Sequence, residues 1–323
     1  AYCIHNAATG RETTMPHTIP KAAQQRRFVI IGAGPAGLEA ARVAGERGHS
    51  VVVFEAASDA GGQLRLTVQS ERRREMLGII DWRLSRCEAL GVEIRYNVWA
   101  EAEEVLAEKP DVVIVATGGF PMEDQPAVGS DLVVNTWDIL SGHVPPGKRV
   151  LLFDDAGDHA ALQAAEIIAA AGAELEIMTP DRTFSAEIMA MNLVPYMRSL
   201  QRANVIFTPT YRLKSVQRDG SQLLAEITSD YAVHGQQDIN HERRIDQVVV
   251  NYGITPMADI YFELKPHASN RGEVNYDDLI VGAPQSVTSN PDGRFQLFRI
   301  GDAVESRNTH AAIYDALRLV KDL

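Results

Sequence analysis

Three glycines with the spacing Gly-x-Gly-x-x-Gly, at Gly32, Gly34 and Gly37, follow an apolar run and open a helix-forming run. In such a loop the first glycine makes a tight turn, the second lets the backbone approach a pyrophosphate, and the third lets helix and strand pack closely. The helix N-terminus then offers N–H groups to phosphates. Glu55 comes 23 residues after Gly32, at the end of the next predicted strand. Its carboxylate can accept hydrogen bonds from two ribose hydroxyls and would repel a 2′-phosphate, so the pattern predicts an adenine-dinucleotide site and disfavours NADP.

A second stretch, "FDDAGDHAAL", has the same layout but carries acids where glycines are expected. Asp154, Asp155 and Asp158 surround the single glycine Gly157. Carboxylates within ~5 Å of a pyrophosphate repel it, and aspartate is itself a helix N-cap. We therefore expect this loop to cap its own helix and to bind no NAD(P). In an alternative interpretation the three aspartates and His159 form a metal site, but capping explains them more simply.

The elements that position these loops alternate between strands and helices, which predicts an α/β fold with parallel, doubly wound sheets. From residue 27 the pattern predicts strand, glycine turn, helix and strand, and from residue 149 it predicts a second such unit. The next predicted elements are a helix at 71–90, a strand at 92–96, a buried strand within 110–119 that ends in a small-residue turn, and a short strand at 132–134. A smaller mixed sheet is predicted from 205 to 253, with a hairpin turn at Asp219 and Gly220. A loop-rich stretch to 293 and a C-terminal strand and helix complete the chain.

The composition is that of an ordinary globular protein and excludes several classes of partner. The chain has 323 residues and a formal net charge of −12, which argues against binding nucleic acid or an anionic membrane. No apolar run approaches the ~20 residues of a membrane helix. The two cysteines, Cys3 and Cys87, suggest no disulfide framework, so we expect a cytoplasmic protein with Cys87 as a core thiol. A basic run of Arg72, Arg73 and Arg74 is either a solvated helix face or a docking site for an acidic partner.

Four short motifs together resemble the flavoproteins with two dinucleotide-binding domains, the glutathione-reductase-like superfamily. They are "GAGPAGLEAA", "GGQL", "ATGG" and "IGDA". The resemblance implies two Rossmann-like FAD/NAD(P) domains, of which the first is discontinuous. The implied boundaries are 27–145 plus 256–323 for the FAD- or ADP-binding domain and 146–255 for a degenerate NAD(P)-like domain. One extended cofactor site is implied, with the candidate residues Gly32, Gly34, Pro35, Ala36, Gly37, Glu55, Ala56, Gly62, Gln63, Leu64, Ala100, Ala116, Thr117, Gly118, Gly301, Asp302, His310 and Ala311.

Residues 1–26 lack periodicity, which predicts an extended arm, and "CIHNAATGRE" within it is similar to the junction in a narrower family. That family of flavin/iron–sulfur oxidoreductases includes trimethylamine, dimethylamine and histamine dehydrogenases and 2,4-dienoyl-CoA reductase. Its members carry an N-terminal (β/α)8 barrel with FMN and a [4Fe–4S] cluster. The resemblance implies that the arm continues from such a barrel and that Cys3 is one cluster ligand, although Cys3 alone cannot hold a cluster.

Within this family the longest matches look most like demethylases of N-methylated amino acids, the N-methylproline demethylase-like group. The matching segments are "CIHNAATGRE", "FDDAGDHAALQAAE" and "FQLFRIGDAVESRNTHAAIYDALRL". The resemblance implies oxidative N-demethylation, with electrons passed through the cluster to an electron-transferring flavoprotein, and no catalytic residue in this chain. Two alternatives stay open: a self-contained NAD(P)H:FAD reductase resembling thioredoxin reductase without its CxxC motif, and a non-catalytic module that holds ADP for docking.

The first site leaves its own ligand open, because the glycine loop and Glu55 recognise the ADP half that FAD and ADP share. His310 and Arg307 lie near the flavin or pyrophosphate end in one interpretation and are helix-cap groups in the other. Whether the chain forms a homo-oligomer also stays open at this stage.

Overall fold

The computed structural model describes residues 3–123, 125–231 and 241–323. In chain order its strands are β1 (Arg27–Ile31), β2 (Ser50–Phe54), β3 (Glu93–Arg95), β4 (Val112–Val115), β5 (Gly119–Pro121), β6 (Val134–Asn135), β7 (Arg149–Asp154), β8 (Glu174–Thr179), β9 (Ile206–Pro209), β10 (Arg212–Asp219), β11 (Gln222–Thr228), β12 (His241–Ile245), β13 (Gln247–Asn251), β14 (Ile254–Pro256) and β15 (Gln296–Arg299).

The α-helices are α1 (Pro35–Glu46), α2 (Leu64–Thr67), α3 (Gly78–Ala89), α4 (Ala102–Ala107), α5 (Thr136–Ser141), α6 (His159–Ala170), α7 (Ala190–Arg202), α8 (Asp259–Leu264), α9 (Tyr276–Val281) and α10 (Thr309–Val320). Short 3-10 helices include Glu71–Leu77 and Gly301–Ala303. The predicted helix over 71–90 therefore starts as a 3-10 helix. Among the described residues, none of the helices combines the length and apolarity that crossing a membrane requires.

The chain divides into two compact units, each with its own cores. The first comprises Ala1–Val68, Glu75–Phe120 and Thr255–Leu323, and the second comprises Gln69–Arg74 and Pro121–Ile254. Strands β5 and β14 pair as a two-stranded sheet.

The first unit is built on a parallel sheet of five strands in the order β15-β4-β1-β2-β3. Side chains of β1 alternate between its two faces, as the period of a strand requires. Phe28 and Ile30 join the core that contains α1, α3 and α10, while Val29 and Ile31 join the core that contains α8. Both faces are covered, which explains why these strands are continuous apolar runs.

The second unit combines a parallel sheet with a smaller antiparallel one. The parallel sheet has the order β6-β13-β7-β8-β9, and the antiparallel sheet has the order β10-β11-β12. The predicted hairpin turn is present, because Asp219 pairs with Gln222 and Gly220 has a φ of +64°. Helices α5 and α7 were not predicted from the sequence.

The sequence placed a boundary at residue 145, whereas residues 121–145 group with the second unit. Strand β6 explains this difference, because it pairs with β13 of the second sheet. Residues 69–74 also group with the second unit. There Arg72 forms an ion pair with Glu166 of α6, and its guanidinium carbon lies 5.1 Å from the centre of the Tyr196 ring. Arg72 therefore does not belong to a simple solvated face.

The N-terminal segment is turn-rich and packed rather than extended. The structure assigns no helix or strand to residues 3–26, and residues 1–2 lie outside its described part. Ala7, Ala8, Met15 and Ile19 are nevertheless buried in the core around α1 and α10. The prediction of an extended arm is wrong in this respect, because apolar side chains at irregular intervals leave no periodic signal in a sequence yet still pack.

A buried ion network joins α1 to α3. The Glu39 carboxylate accepts hydrogen bonds from Arg42 (2.7 and 3.0 Å) and from Arg83 Nε (2.9 Å). Arg83 is 1% exposed, and its other nitrogens donate to the carbonyls of Ile79 and His5. The pKa of Arg83 is lowered, mainly by burial, so Glu39 is the charge that makes its burial tolerable.

We expect Glu39→Leu to lower the free energy of unfolding of the first unit by about 3–5 kcal/mol, because it leaves a buried guanidinium uncompensated. Urea unfolding followed by Trp82 fluorescence, with Trp99 and Trp137 replaced by Phe, measures this loss. Trp82 is a suitable probe because Arg42 and Arg83 lie 5.5 and 5.6 Å from its ring centre.

The matched control is Glu93→Gln, which breaks the exposed Glu93–Arg95 pair and should cost less than about 1 kcal/mol. Equal losses in the two variants would show that the buried network has no special role.

Candidate functional site

Two glycines of the first loop are required by close packing. Gly32 has a φ of +102°, and a Cβ there would lie 2.4 Å from the carbonyl oxygen of Ala116. A Cβ on Gly37 would lie 1.8 Å from the carbonyl oxygen of Gly32. Neither distance is available to a real side chain, so these glycines seat α1 against the turn and against the end of β4.

Gly34 differs, because a Cβ built on it would meet no atom within 4 Å. It is the N-cap residue of α1, with φ −72° and ψ −177°, and it has no side chain with which to cap the helix. Pro35 follows at the first helical position, and the first turn contains no acidic residue. The helix therefore presents an uncapped N-terminus beside open space, which is the arrangement that binds a diphosphate.

Glu55 is held against this loop by two backbone groups. Its Oε2 accepts from the N–H of Ala33 at 2.7 Å, and its Oε1 accepts from the N–H of Ala57 at 2.8 Å. Each carboxylate oxygen keeps a further lone pair for a ribose hydroxyl. The carboxylate is thus oriented before any ligand arrives. Ala56 lies beside it and is exposed.

The "GGQL" segment lies directly against the glycine loop. The N–H of Gly61 donates to the carbonyl of Ala33 at 2.9 Å. A Cβ on Gly62, whose φ is +52°, would lie 3.4 Å from the Cα of Gly34. Leu64 anchors the segment, because it is buried in the core around α1.

Gln63 brings two more predicted residues into the same place. Its Nε2 lies 3.4 Å from Oδ2 of Asp302, and a Cβ on Gly118 would lie 3.6 Å from that nitrogen. Burial raises the pKa of Asp302, whose Oδ1 accepts from the N–H of Arg307 at 3.1 Å. Gly301 packs close to α1, because a Cβ on it would lie 3.0 Å from the Cβ of Ala36.

The first turn of α10 is contacted by Asn308 and by the N-terminal segment, which the sequence did not indicate. The Asn308 side chain caps the helix by accepting from the N–H of Ala311 at 3.0 Å. His310 Nδ1 lies 3.1 Å from the carbonyl oxygen of Cys3, and its Nε2 lies 3.5 Å from Arg11. Arg307, which precedes α10, forms an ion pair with Asp315 of that helix.

The remaining predicted residues have packing roles in the structure. Ala116 donates its N–H to Ile31 and packs on the glycine turn. The Thr117 hydroxyl donates to the carbonyl of Met257. Ala100 packs against the core that contains Phe54. Direct contacts thus link the glycine loop to Glu55, "GGQL" and Gly301, and link Gln63 to Gly118 and Asp302, whereas Ala100 lies in the core that contains Phe54.

The second loop has a different internal chemistry. Asp158 is the N-cap of α6 and accepts from the N–H of Ala160 at 2.9 Å. Asp154 Oδ1 accepts from the N–H of Gly157 at 2.9 Å, and Asn251 Nδ2 donates to both Asp154 and Asp158 at 3.0 and 2.9 Å. The prediction that this loop caps its own helix is confirmed by these bonds. The role of Asn251, on the adjacent strand β13, was missed because nothing local in the sequence signals a partner from another strand.

His159 contacts Arg73 and Tyr196 rather than the aspartates of the loop. Its Nδ1 lies 2.9 Å from Arg73 and 3.4 Å from the hydroxyl of Tyr196. Burial, together with Arg73, lowers the pKa of His159 to about 4. In the part of the chain that the structure describes, no group of three or more His, Cys, Asp or Glu side chains is arranged to hold a metal ion.

Comparison with known proteins gives one family model over part of the chain and relatives that match nearly all of it. Residues 30–79 match the family model of the NAD(P)-binding Rossmann-like domain. All of this chain is 64% identical to a probable N-methylproline demethylase of Rhizobium meliloti, and 99% of it is 42% identical to the N,N-dimethylglycine/sarcosine dehydrogenase of Chromohalobacter salexigens. The chain spans 47% of each relative, about half its length.

By sequence, this chain is thus similar to about half of each of these two enzymes. Solved structures agree at the level of the fold. The whole chain superposes on 43% of 2-naphthoyl-CoA reductase with a TM-score of 0.79 at 25% identity. Histamine dehydrogenase from Rhizobium sp. 4-9 matches 99% of the chain, over 48% of its own length, with a TM-score of 0.79 at 21% identity. The predicted resemblance to this oxidoreductase family is confirmed.

The first loop gives a matched pair of glycine substitutions. Gly37→Ala should lower the free energy of unfolding by about 1–3 kcal/mol or more, because its Cβ would overlap the carbonyl of Gly32. Gly34→Ala should change it by no more than about 0.5 kcal/mol, because its Cβ has room. Thermal and urea unfolding measure both, and equal effects would contradict the packing described for Gly37.

A pH-dependent difference is expected from the second loop. Burial and the neighbouring Asp158 raise the pKa of Asp154 from 3.8 to about 7. Between these values the unfolded chain ionises Asp154 while the folded chain keeps its proton. Stability should therefore fall as pH rises from about 4 to 7, by up to about 1.4 kcal/mol per pH unit. Asp154→Asn keeps an acceptor for Gly157 and Asn251 but does not titrate.

The measurement is the difference in unfolding free energy between Asp154→Asn and the parent chain across pH 4 to 8. His159 contributes a slope of opposite sign, because its lowered pKa leaves it neutral when folded while the unfolded chain binds a proton. That contribution is common to both proteins and cancels in the difference. Parallel curves would show that Asp154 keeps an ordinary pKa.

Proposed function

We propose that this chain is the adenine-dinucleotide-binding part of a flavin-dependent oxidoreductase that removes N-methyl groups from N-methylated amino acids or amines. The observation that carries the proposal is a full-length match at 64% identity to a probable N-methylproline demethylase, in a chain that keeps the open glycine loop. A second relative, named N,N-dimethylglycine/sarcosine dehydrogenase, supports the same class of substrate.

The proposed reaction is a two-electron oxidation at a carbon–nitrogen bond. A C–H bond of the N-methyl group breaks with loss of a hydride, and water adds to the resulting iminium carbon. Formaldehyde and the demethylated amine then separate. FMN in a preceding barrel domain would supply the oxidation, and we assign no catalytic residue to the present chain.

The residues of this chain would bind and orient a nucleotide. The uncapped start of α1 at Gly34 would hold the diphosphate, and Glu55, already fixed by two backbone N–H groups, would accept from the ribose hydroxyls. Gln63, Gly118 and Asp302 line the continuation of the site, where the ribityl chain of FAD would lie. FAD would use these three residues as well as the glycine loop and Glu55. ADP would use only the glycine loop and Glu55. We therefore propose FAD, or ADP in the same site, as the ligand.

A [4Fe–4S] cluster does not fit the residues of this chain by themselves. The chain has two cysteines, and Cys87 is fully buried against Leu38, where burial raises its pKa to about 12. Cys3 could therefore contribute one ligand to a cluster whose other thiolates come from elsewhere. We derive no step of the reaction through that cluster.

The second loop favours an acceptor other than NAD(P). Its aspartates use the N–H groups that a pyrophosphate would need, so we propose that electrons leave to a protein acceptor, an electron-transferring flavoprotein. The other proposed partner is the FMN barrel domain itself. We further propose a cytoplasmic location with no nucleic-acid or membrane partner, which the net charge of −12 supports.

One observation favours a second candidate, a self-contained NAD(P)H:FAD reductase. The chain superposes on 97% of thioredoxin reductase from Lactococcus lactis with a TM-score of 0.62, at 18% identity, which is a likeness of fold. The capped second loop opposes this candidate. Bleaching of a bound flavin by NADH in the purified chain would establish it.

The nucleotide that the purified chain carries is the decisive measurement. We expect denaturation to release FAD, seen as absorbance near ~450 nm, or ADP without visible colour. Gly34→Ala should weaken ADP binding about 10- to 100-fold, because its methyl group would displace the diphosphate from hydrogen bonds worth about 1.5–3 kcal/mol each.

Gly78→Ala is the matched control, because its Cβ would meet its nearest neighbour at 3.9 Å and it lies at the start of α3. Release of ADP alone, together with no flavin uptake, would leave the docking-module alternative. Absence of both nucleotides under saturating conditions would contradict the proposed function.

A further inference from the structure

The segment containing Cys3 is held by the same two helices that begin at the proposed nucleotide site. At the start of α10, His310 Nδ1 donates to the carbonyl of Cys3 at 3.1 Å. From α1, Glu39 fixes Arg83, whose Nη2 donates to the carbonyl of His5 at 2.9 Å. These bonds join α10 directly, and α1 through Arg83 of α3, to the backbone of residues 3–5.

Further contacts reinforce the attachment at α10. Arg11 stacks over the ring of Tyr314 at 4.6 Å and donates to the carbonyl of Ala7 at 2.9 Å. Arg11 also lies 3.5 Å from Nε2 of His310. The imidazole therefore lies between two groups of the N-terminal segment, and its tautomer follows: Nδ1 carries the proton that the Cys3 carbonyl accepts.

The opposite side of the same helix start belongs to the nucleotide site. A Cβ on Gly301 would lie 3.0 Å from Ala36 of α1 and 3.5 Å from Ala312 of α10. Gln63, beside the glycine loop, reaches Asp302 at 3.4 Å. A ligand that orders the starts of α1 and α10 therefore orders the helices that carry His310 and Glu39.

We propose that His310 couples the nucleotide site to the N-terminal segment, so that a bound adenine nucleotide and the docked position of Cys3 stabilise one another. The proposal rests on the proposed nucleotide site. His310 is a positioning residue in it: the side chain holds the carbonyl of Cys3 rather than the nucleotide. Coupling of this kind is reciprocal, so docking of the segment strengthens nucleotide binding by the factor by which the nucleotide strengthens docking.

The chain contains its own reporter of this coupling. Cys3 is half-buried, whereas Cys87 is fully buried with its pKa raised to about 12. The thiolate is the reactive form, so iodoacetamide at a fixed pH of 8 should modify Cys3 and spare Cys87. Peptide mass spectrometry assigns each modified cysteine.

The test measures the rate of Cys3 alkylation in nucleotide-free chain and in chain saturated with ADP, with ADP binding measured separately by calorimetry. We expect ADP to slow alkylation about fivefold or more. His310→Ala should speed alkylation of the nucleotide-free chain, remove the protection by ADP, and weaken ADP binding by the same factor. His310→Asn, whose amide can donate to the Cys3 carbonyl, should restore protection.

His267→Ala is the matched control, because His267 is exposed and lies in a 3-10 helix elsewhere in the same unit. It should behave like the parent chain. If ADP binds and the alkylation rate of the parent does not change, the coupling is wrong and the proposed nucleotide site stands. If His310→Ala keeps full protection, His310 is not the link. If neither ADP nor FAD binds, the proposed function and the coupling fail together.

Discussion

The close approach of Gly37 to the carbonyl of Gly32 determines where α1 begins relative to the turn after β1 in the first unit. A single added methyl group would lie 1.8 Å from that oxygen, so α1 must start close against the turn that follows β1. This closeness places the helix N-terminus beside Gly34, where space is open, and beside Glu55, which holds the N–H of Ala33. The open, uncapped helix start therefore follows from a packing constraint that only glycine satisfies.

The two nucleotide-type loops of this chain illustrate how the same topology serves different ends. In the first, no side chain accepts hydrogen bonds from the backbone N–H groups at the helix start beside Gly34. In the second, Asp158 and Asp154 take those groups, and Asn251 holds the two carboxylates together. Asp154 is buried close to the Asp158 carboxylate, and both effects raise its pKa, so Asp154 can stay protonated beside Asp158. The second loop is therefore stabilised by its own side chains, whereas no side chain caps the start of the helix in the first.

The sequence predicts the elements best where a single local pattern decides them. The spacing of Gly32, Gly34 and Gly37 and the acids around Gly157 were sufficient, because each loop is governed by its own backbone. The sequence failed where distant segments decide the outcome. Asn251 donates a hydrogen bond to Asp154 from another strand. His310 bonds the carbonyl of Cys3, 307 residues away in the sequence, and Arg72 forms an ion pair with Glu166. None of these contacts leaves a periodic or local signal, so only the folded arrangement reveals them.

Residues 69–74 lie between α2 and α3 in the chain but group with the second unit, where Arg72 and Arg73 accompany Glu166, Tyr196 and His159. A fragment cut at the obvious places, 121–254, would thus lack a piece of its own structure. If this fragment were expressed alone, Glu166 would lose its ion-pair partner Arg72, and the Tyr196 ring would lose the guanidinium that lies over it. A short peptide with the sequence of residues 69–74 should complement such a fragment. The second unit is therefore one compact body built from two separate segments of the chain.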